Sequence, residues 1–285
     1  MTGTHKPVLH LFDQSKKDDS KNNYHLSLQI GIDGFCFALF HLKEETYIGI
    51  ADYVVPNNSE QTLASFFIEV AAEDKWLQGT FKSVSVSFTS SKNTLIPTAL
   101  FEEEHIKSYL SINTGNKHIE NPLYNRLLET DIINCFSVDK DIYNVITKQY
   151  PGASILHQGS IQIEAAGHRK LKDPSIFLQF NRKSIDIVSV KGKQIQLMNS
   201  FNYTTSEDVI YYLLYVMEQL SFDQNTTTVV LMGNIQKESK VYELLYTYIN
   251  LLTMAEWPSG VKYAHPIKGL APHQFHLLIQ QYLCA

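Results

Sequence analysis

The sequence predicts an α/β protein of two similar halves, and three observations carry that reading. Three runs of alternating apolar residues are followed by a helix-period run, a strand and another helix, and the same order returns in the second half. The pair Leu28-Gln29 recurs as Leu178-Gln179, near half the length of the 285-residue chain, a period too long for a solenoid and suited to two subdomains. Composition agrees with a well-filled core: 44% of residues are hydrophobic and 19% charged, against a usual ~25%.

The elements follow in order. Residues 1–23 read as a loose polar leader in which only Val8 to Phe12 is apolar enough to dock on something else. Leu26, Leu28, Ile30 and Ile32 alternate with Ser27, Gln29 and Gly31, the period of a strand, and Asp33-Gly34 is a hairpin turn. Phe35 to Leu42 and Tyr47 to Val55 are two more strands, joined at Lys43-Glu44-Glu45. A helix follows, with Asn58 or Ser59 as cap and Leu63, Phe66, Phe67, Val70 and Ala71 on one face. Phe81 to Phe88 is a strand and Phe101 to Leu110 a helix; then come a strand at Asp131 to Ser137, a helix at Asp139 to Tyr150, a short strand at Ala153 to Leu156 and a crossing helix at Ser160 to Ala166. In the second half Ile176 to Phe180, Ile185 to Val190 and Ile195 to Tyr203 are strands, turning at Asn181-Arg182-Lys183 and Lys191-Gly192-Lys193. Thr205-x-x-Asp208 is a capping box that opens a helix with Val209, Leu213, Val216, Met217 and Leu220 on its apolar face. Thr228 to Met232 is a strand and Ser239 to Leu252 a helix. The expected division is a leader at 1–23, a first subdomain at 24–172 and a second at 173–285.

Several function classes fall away. The net charge is −5, from 24 basic and 29 acidic residues, and no Lys/Arg block exists, which argues against nucleic acid as a partner. The longest apolar run, Leu26 to Leu42, is broken by Gln29, Asp33 and His41 and makes a poor membrane span. The first residues lack the order of a signal peptide, so a cytoplasmic location is expected. Cys36, Cys135 and Cys284 are widely spaced with no CxxC pair, which fits a reducing compartment; Cys36, in an alternating strand, reads as core filler. No dinucleotide, Walker-type, nucleophile-elbow or HExxH motif occurs. His265, His273 and His276 gather near the C-terminus without a Cys or acid at ligand spacing and read as surface or capping residues, while His25, His41, His105, His118, His157 and His168 show no pairing. Tyr211, Tyr212 and Tyr215 lie off the apolar face of their helix, suited either to a partner surface or to packing under a neighbouring element.

At residue level the two hairpins resemble the actin, hexokinase and Hsp70 superfamily. There the first hairpin of each half carries an Asp-x-Gly pattern that grips the nucleotide phosphates and their metal, and a strand ending in Gly-Gly holds the adenosine. Here the leading acids stand as Gln29 and Gln179; Gly31 is kept in the first hairpin, and Asn181, Arg182 and Lys183 replace the glycines of the second. Ser184 and Asp186 match the downstream Thr-x-Asp, and Gly233-Asn234 stands for Gly-Gly. The resemblance spans about residues 24–285 and is nearest to an uncharacterised bacterial family of actin-like-fold proteins. It implies a duplicated actin-like ATPase (ribonuclease H-like) fold, two subdomains with mixed five-stranded sheets.

The departures set the functional expectation. Magnesium on a triphosphate asks for hard oxygen ligands, and neutral amides are weaker ones. Asp33 could stand in for a lost acid, although Asp-Gly equally suits a plain tight turn, and Arg182 with Lys183 could either obstruct a phosphate or bind one. Gln29, Gly31, Asp33, Gln179, Ser184, Asp186, Gly233 and Asn234 are therefore expected to form a vestigial nucleotide cleft, with no catalytic residue, no metal and no cofactor. The chain is expected to be a non-catalytic scaffold or interaction module whose partner is another protein or a second copy. The alternative is a divergent ATP-binding switch or weak ATPase, using ATP and magnesium.

Overall fold

The computed structural model describes residues 5–16, 20–56, 61–115, 118–128, 130–167 and 174–284. The caps expected at Asn58 or Ser59, the boundary expected at 172/173 and His168 fall outside these residues. The chain opens with β1 (Leu9–Phe12), followed by the meander β2 (Tyr24–Ile30), β3 (Gly34–His41) and β4 (Thr46–Val54). The apolar piece of the leader does dock: β1 lies antiparallel on β4, with Leu9 opposite Asp52 and Phe12 opposite Gly49. Gly49 is needed there, because a Cβ would sit 1.9 Å from a ring carbon of Phe12. Helix α1 (Leu63–Glu73) is capped by Thr62, whose side chain accepts from the Ser65 N–H, and it buries Phe66, Phe67, Val70 and Ala71.

β5 (Ser83–Phe88) then runs parallel to β2. β6 (Asn93–Pro97), helix α2 (Ile106–Thr114), β7 (Pro122–Arg126) and β8 (Ile132–Ser137) form an excursion in which β6-β8-β7 make a separate three-stranded sheet. The helix expected from Phe101 thus begins later, after a 3-10 turn at Glu103–His105, and ends on Gly115 at φ 67°. Helix α3 (Lys140–Gln149), capped by Asp139, and strand β9 (Ser154–His157) return to the first sheet, and α4 (Gln158–Gly167) crosses out of it.

The second half supplies β10 (Ser175–Phe180), β11 (Ser184–Lys191), β12 (Gln194–Asn202), α5 (Ser206–Gln219), β13 (Thr228–Gly233) and α6 (Lys240–Tyr248). Thr205 and Asp208 form the expected capping box. The last expected helix stops at Tyr248, and β14 (Leu251–Met254) takes up the chain as a strand parallel to β13. A brief apolar run such as Ile249 to Met254 fits either state, and the open edge of β13 decides it. β15 (Lys262–Tyr263), α7 (His265–Lys268) and α8 (His276–Leu283) finish the chain.

The two large sheets have the same order and sense. β4-β3-β2-β5-β9 in the first corresponds to β12-β11-β10-β13-β14 in the second, antiparallel through the meander and parallel beyond it. Each is the expected mixed five-stranded sheet, and β1 and β15, both on β4, widen the first to seven. Separate cores form where α1 and α3 cover the first sheet and α5 and α6 the second. The buried helix α4 packs with Phe177, Val188 and Leu277 in a third core, and α8 packs through Leu278 and Ile279 on Phe40, Tyr47 and Ile50 of the first sheet. Tyr47 OH donates to Ile279 O at 2.7 Å, and Gln281 bonds Ser85 and Ser87. Of the three C-terminal histidines only His265 is exposed, as expected. His273 and His276 are buried, with ring nitrogens on the Ile235 and Glu256 carbonyls.

His25 shows the same unannounced pairing, its two ring nitrogens each 2.8 Å from a serine hydroxyl, Ser83 and Ser85. Burial lowers its pKa from 6.5 to about 4. The unfolded chain therefore takes up a proton between these pH values that the folded chain refuses, so stability is complete above pH 6.5 and falls as pH drops towards 4. The loss from this residue reaches about 3 kcal/mol. Urea midpoints followed from neutral to mildly acidic pH are expected to decline through this window, and His25→Gln is expected to flatten the decline; an equally steep decline in the variant would contradict the assignment.

Candidate functional site

The two meander turns face each other across a cleft of about 420 Å³. They close alike: Gly31 N–H donates to Gly34 O at 2.9 Å, and Asn181 N–H to Ser184 O at 2.8 Å. Gln29, Gly31, Asp33, Gln179, Ser184, Gly233 and Asn234 all line the cleft. Asp186 does not. It lies buried just behind, its carboxylate accepting from Gln158 at 2.7 Å, Asn181 at 2.9 Å and Ser200 at 2.6 Å. It stands on β11 opposite Gln179, on the same face as Ser184, and these three partners cover it.

Gln158 occupies the floor between the hairpins and is completely buried at the start of α4. Its amide oxygen accepts from Gln29 and, at 2.8 Å, from Thr89 of the first half; its amide nitrogen donates to Asn181 and Asp186 of the second. Gln29 also accepts a long contact from the Cys36 thiol at 3.8 Å. Cys36 packs against the core of Phe40, Tyr47 and Ile50, as expected, and also lines the cleft; burial followed by the nearby Asp52 carboxylate pushes its pKa well up, so it stays a thiol. Gln179 packs its amide against Gly233, whose φ of 81° and absent Cβ admit the contact.

At the mouth, Arg182 reaches from the second turn to the first half. Its guanidinium lies 3.4 Å from Asp33 and 3.4 Å from Asp52. Asp52 has a raised pKa, chiefly from burial, with Arg182 acting against the rise and Asp33 adding to it. Lys183 also lines the cleft. Outside it, Glu102, Glu104 and His105 form an exposed group with ligand atoms within 4.8 Å of one another, and there His105 contacts Glu102 at 2.8 Å. The tyrosines divide: Tyr211 and Tyr215 are exposed, whereas Tyr212 is half-buried and stacks on Phe201.

Sequence reasoning missed Gln158, Thr89, Asp52 and the cleft-facing Cys36. For Asp52 a signal existed, since it stands opposite Cys36 as Ser200 stands opposite Asp186. Gln158 left none, because a lone glutamine at a helix start resembles any other.

The chain belongs to the family described as protein of unknown function (DUF3822), whose model matches residues 13–252. No curated protein matches it in sequence. Among solved structures it is similar to a protein from Bacteroides thetaiotaomicron with actin-like ATPase fold and unknown function, at 27% identity and a TM-score of 0.76 over 82% of this chain and 91% of that one. It is also similar to a chain of a PilM-PilN type IV pilus biogenesis complex, at 13% identity and a TM-score of 0.53 over 91% and 97% of the two chains. The fold is therefore the actin-like ATPase fold. No helix among the described residues is long and apolar enough to cross a membrane.

Removing the Gln158 side chain would strand Gln29 and Thr89 on one side and take a donor from the buried Asp186 on the other. Gln158→Ala is expected to lower unfolding free energy by about 2–4 kcal/mol in denaturant titrations, from the lost bonds and their unpaired partners. A loss below about 1 kcal/mol would mean that the network is idle.

Proposed function

We propose that the protein is a non-catalytic member of the actin-like fold, a scaffold or interaction module whose nucleotide cleft is held by its own side chains. One observation carries the reading: Gln158 joins both hairpins at the floor of the cleft, where Gln29 and Asp186 are already engaged through it.

The donor set does not suit a magnesium triphosphate. The cleft offers amides at Gln29 and Gln179, while its carboxylates at Asp33 and Asp52 face the Arg182 guanidinium. A metal there would compete with that guanidinium, and it would have to draw on amide oxygens that are poor substitutes for charged ones. The turn N–H groups at Gly31 and Asn181 are spent on closing their own turns and are withdrawn from any phosphate. That the same fold occurs in a PilM-PilN complex makes an assembly role one this fold can host.

Calorimetric titration of the full chain with ATP and with ADP, with and without magnesium, is expected to show no magnesium-dependent binding, and turnover assays no hydrolysis above background. Micromolar magnesium-dependent binding would replace this reading with that of an ATP-binding switch. Hydrolysis abolished by Asp33→Ala would go further and make Asp33 the stand-in acid of a weak ATPase.

A further inference from the structure

Among the described residues, the first sheet covers the outer edge of its meander and the second leaves its own open. β4 is flanked by β1, but its counterpart β12 has no described strand beyond it. The register makes the comparison residue by residue. Ser200 opposite Asp186 and Met198 opposite Val188 hold the places of Asp52 opposite Cys36 and Ile50 opposite Ala38. Asp52 and Ile50 are the residues that β1 engages, with Val8 N–H donating to Asp52 O at 2.8 Å. Tyr203 N–H donates inward to Lys183 O, and by the alternation of an antiparallel ladder the N–H groups of Asn202 and Ser200 point outward. The Ser200 N–H is met by the side chain of its neighbour Asn199 at 2.9 Å.

This edge lacks the usual deterrents. Natural edges are blunted by lysine, proline or bulges. From Gln194 to Tyr203 there is no charged residue and no proline. An irregularity opposite Ser189/Val190 leaves Leu197–Asn202 in regular register, a stretch longer than the four residues of β1. Beside the edge an aromatic run begins. Phe201 of β12 stacks on Tyr212 at 4.7 Å, Tyr212 meets Tyr211 at 5.6 Å, and Tyr211 stacks on Tyr215 at 6.1 Å. Tyr211 is 64% exposed and Tyr215 47%.

We infer that β12, with Tyr211 and Tyr215, is an isologous interface for a second copy of this chain, the two β12 strands pairing antiparallel about a two-fold axis into one continuous sheet. A two-fold axis requires a surface that complements itself. An antiparallel strand edge does so through its backbone, and an uncharged strand brings no like charges together across the axis. Tyrosines add contact area at small entropic cost beside the paired strands. The inference does not rest on the state of the nucleotide cleft.

Sedimentation equilibrium of the full chain across the micromolar range tests it. The wild type is expected to dimerise reversibly. Asn202→Pro removes an outward N–H that the sheet does not use, and Asn199→Lys places two ammonium groups near the axis from an exposed position. Each is expected to weaken the dimer by at least about tenfold, with unchanged far-UV circular dichroism. Tyr211→Ser with Tyr215→Ser is expected to weaken it as well. If Asn202→Pro disturbs folding, Asn199→Lys decides alone. A wild type that stays monomeric, or a dimer untouched by Asn199→Lys, overturns the proposal.

Discussion

The arrangement of the cleft depends on one buried amide. Gln158 has no access to water, so its oxygen and nitrogen must both find partners inside the protein. It satisfies the oxygen in the first half and the nitrogen in the second, and this ties the two hairpins to the start of α4. The residue before it is fixed just as firmly. His157 donates from Nε2 to Ser90 O, while Nδ1 accepts from Gly159 N–H and from Asn134. Burial lowers the pKa of His157 and keeps the ring neutral, the form able to both donate and accept. The turn into α4 is thus locked on both sides of the cleft floor before any ligand is considered.

Charge at the mouth has a different character from polarity at the floor. Arg182, Asp33 and Asp52 are each only partly shielded, with side chains 37%, 32% and 23% exposed. Ion pairs in such settings contribute about 0–1 kcal/mol, so this contact orients the second turn over the first more than it holds the halves together. The holding is done by α4 and α8, whose apolar faces and buried amides reach both sheets. The cleft therefore has a rigid floor and a weakly latched mouth.

How far this was legible in the sequence varies with the range of the interaction. Strand alternation at Leu26 to Ile30 and the Thr205-x-x-Asp208 box are local patterns, and both appear where expected. The recurrence of Leu28-Gln29 at Leu178-Gln179 gave the matching hairpins, because a repeated register is written in the chain itself. What remained hidden was pairing between distant residues. His25 with Ser85, Gln158 with Gln29 and Arg182 with Asp52 join positions far apart in sequence, and nothing in the neighbourhood of either partner marks the bond. Asp186 was placed at the cleft on the strength of its motif; it does share the face of Gln179 and Ser184, but Gln158, Asn181 and Ser200 cover its carboxylate there.

The glycines and the glutamines of the cleft divide along a physical line. A Cβ at Gly34 would come within 2.2 Å of Tyr53 O, and one at Gly233 within 2.2 Å of Phe180 O, besides facing a φ of 81°. Backbone of the same chain forbids a side chain at both places, with or without a phosphate nearby. That these two positions carry no side chain follows from the meander and its neighbouring strand alone. The positions of Gln29 and Gln179 carry no such constraint, since a carboxylate and an amide have nearly the same shape. At Gln29 the amide donates to Gln158, a bond that a carboxylate, lacking a proton, could not make. The glycines of the cleft thus answer to the backbone around them, and the amide at position 29 answers to its bond with Gln158.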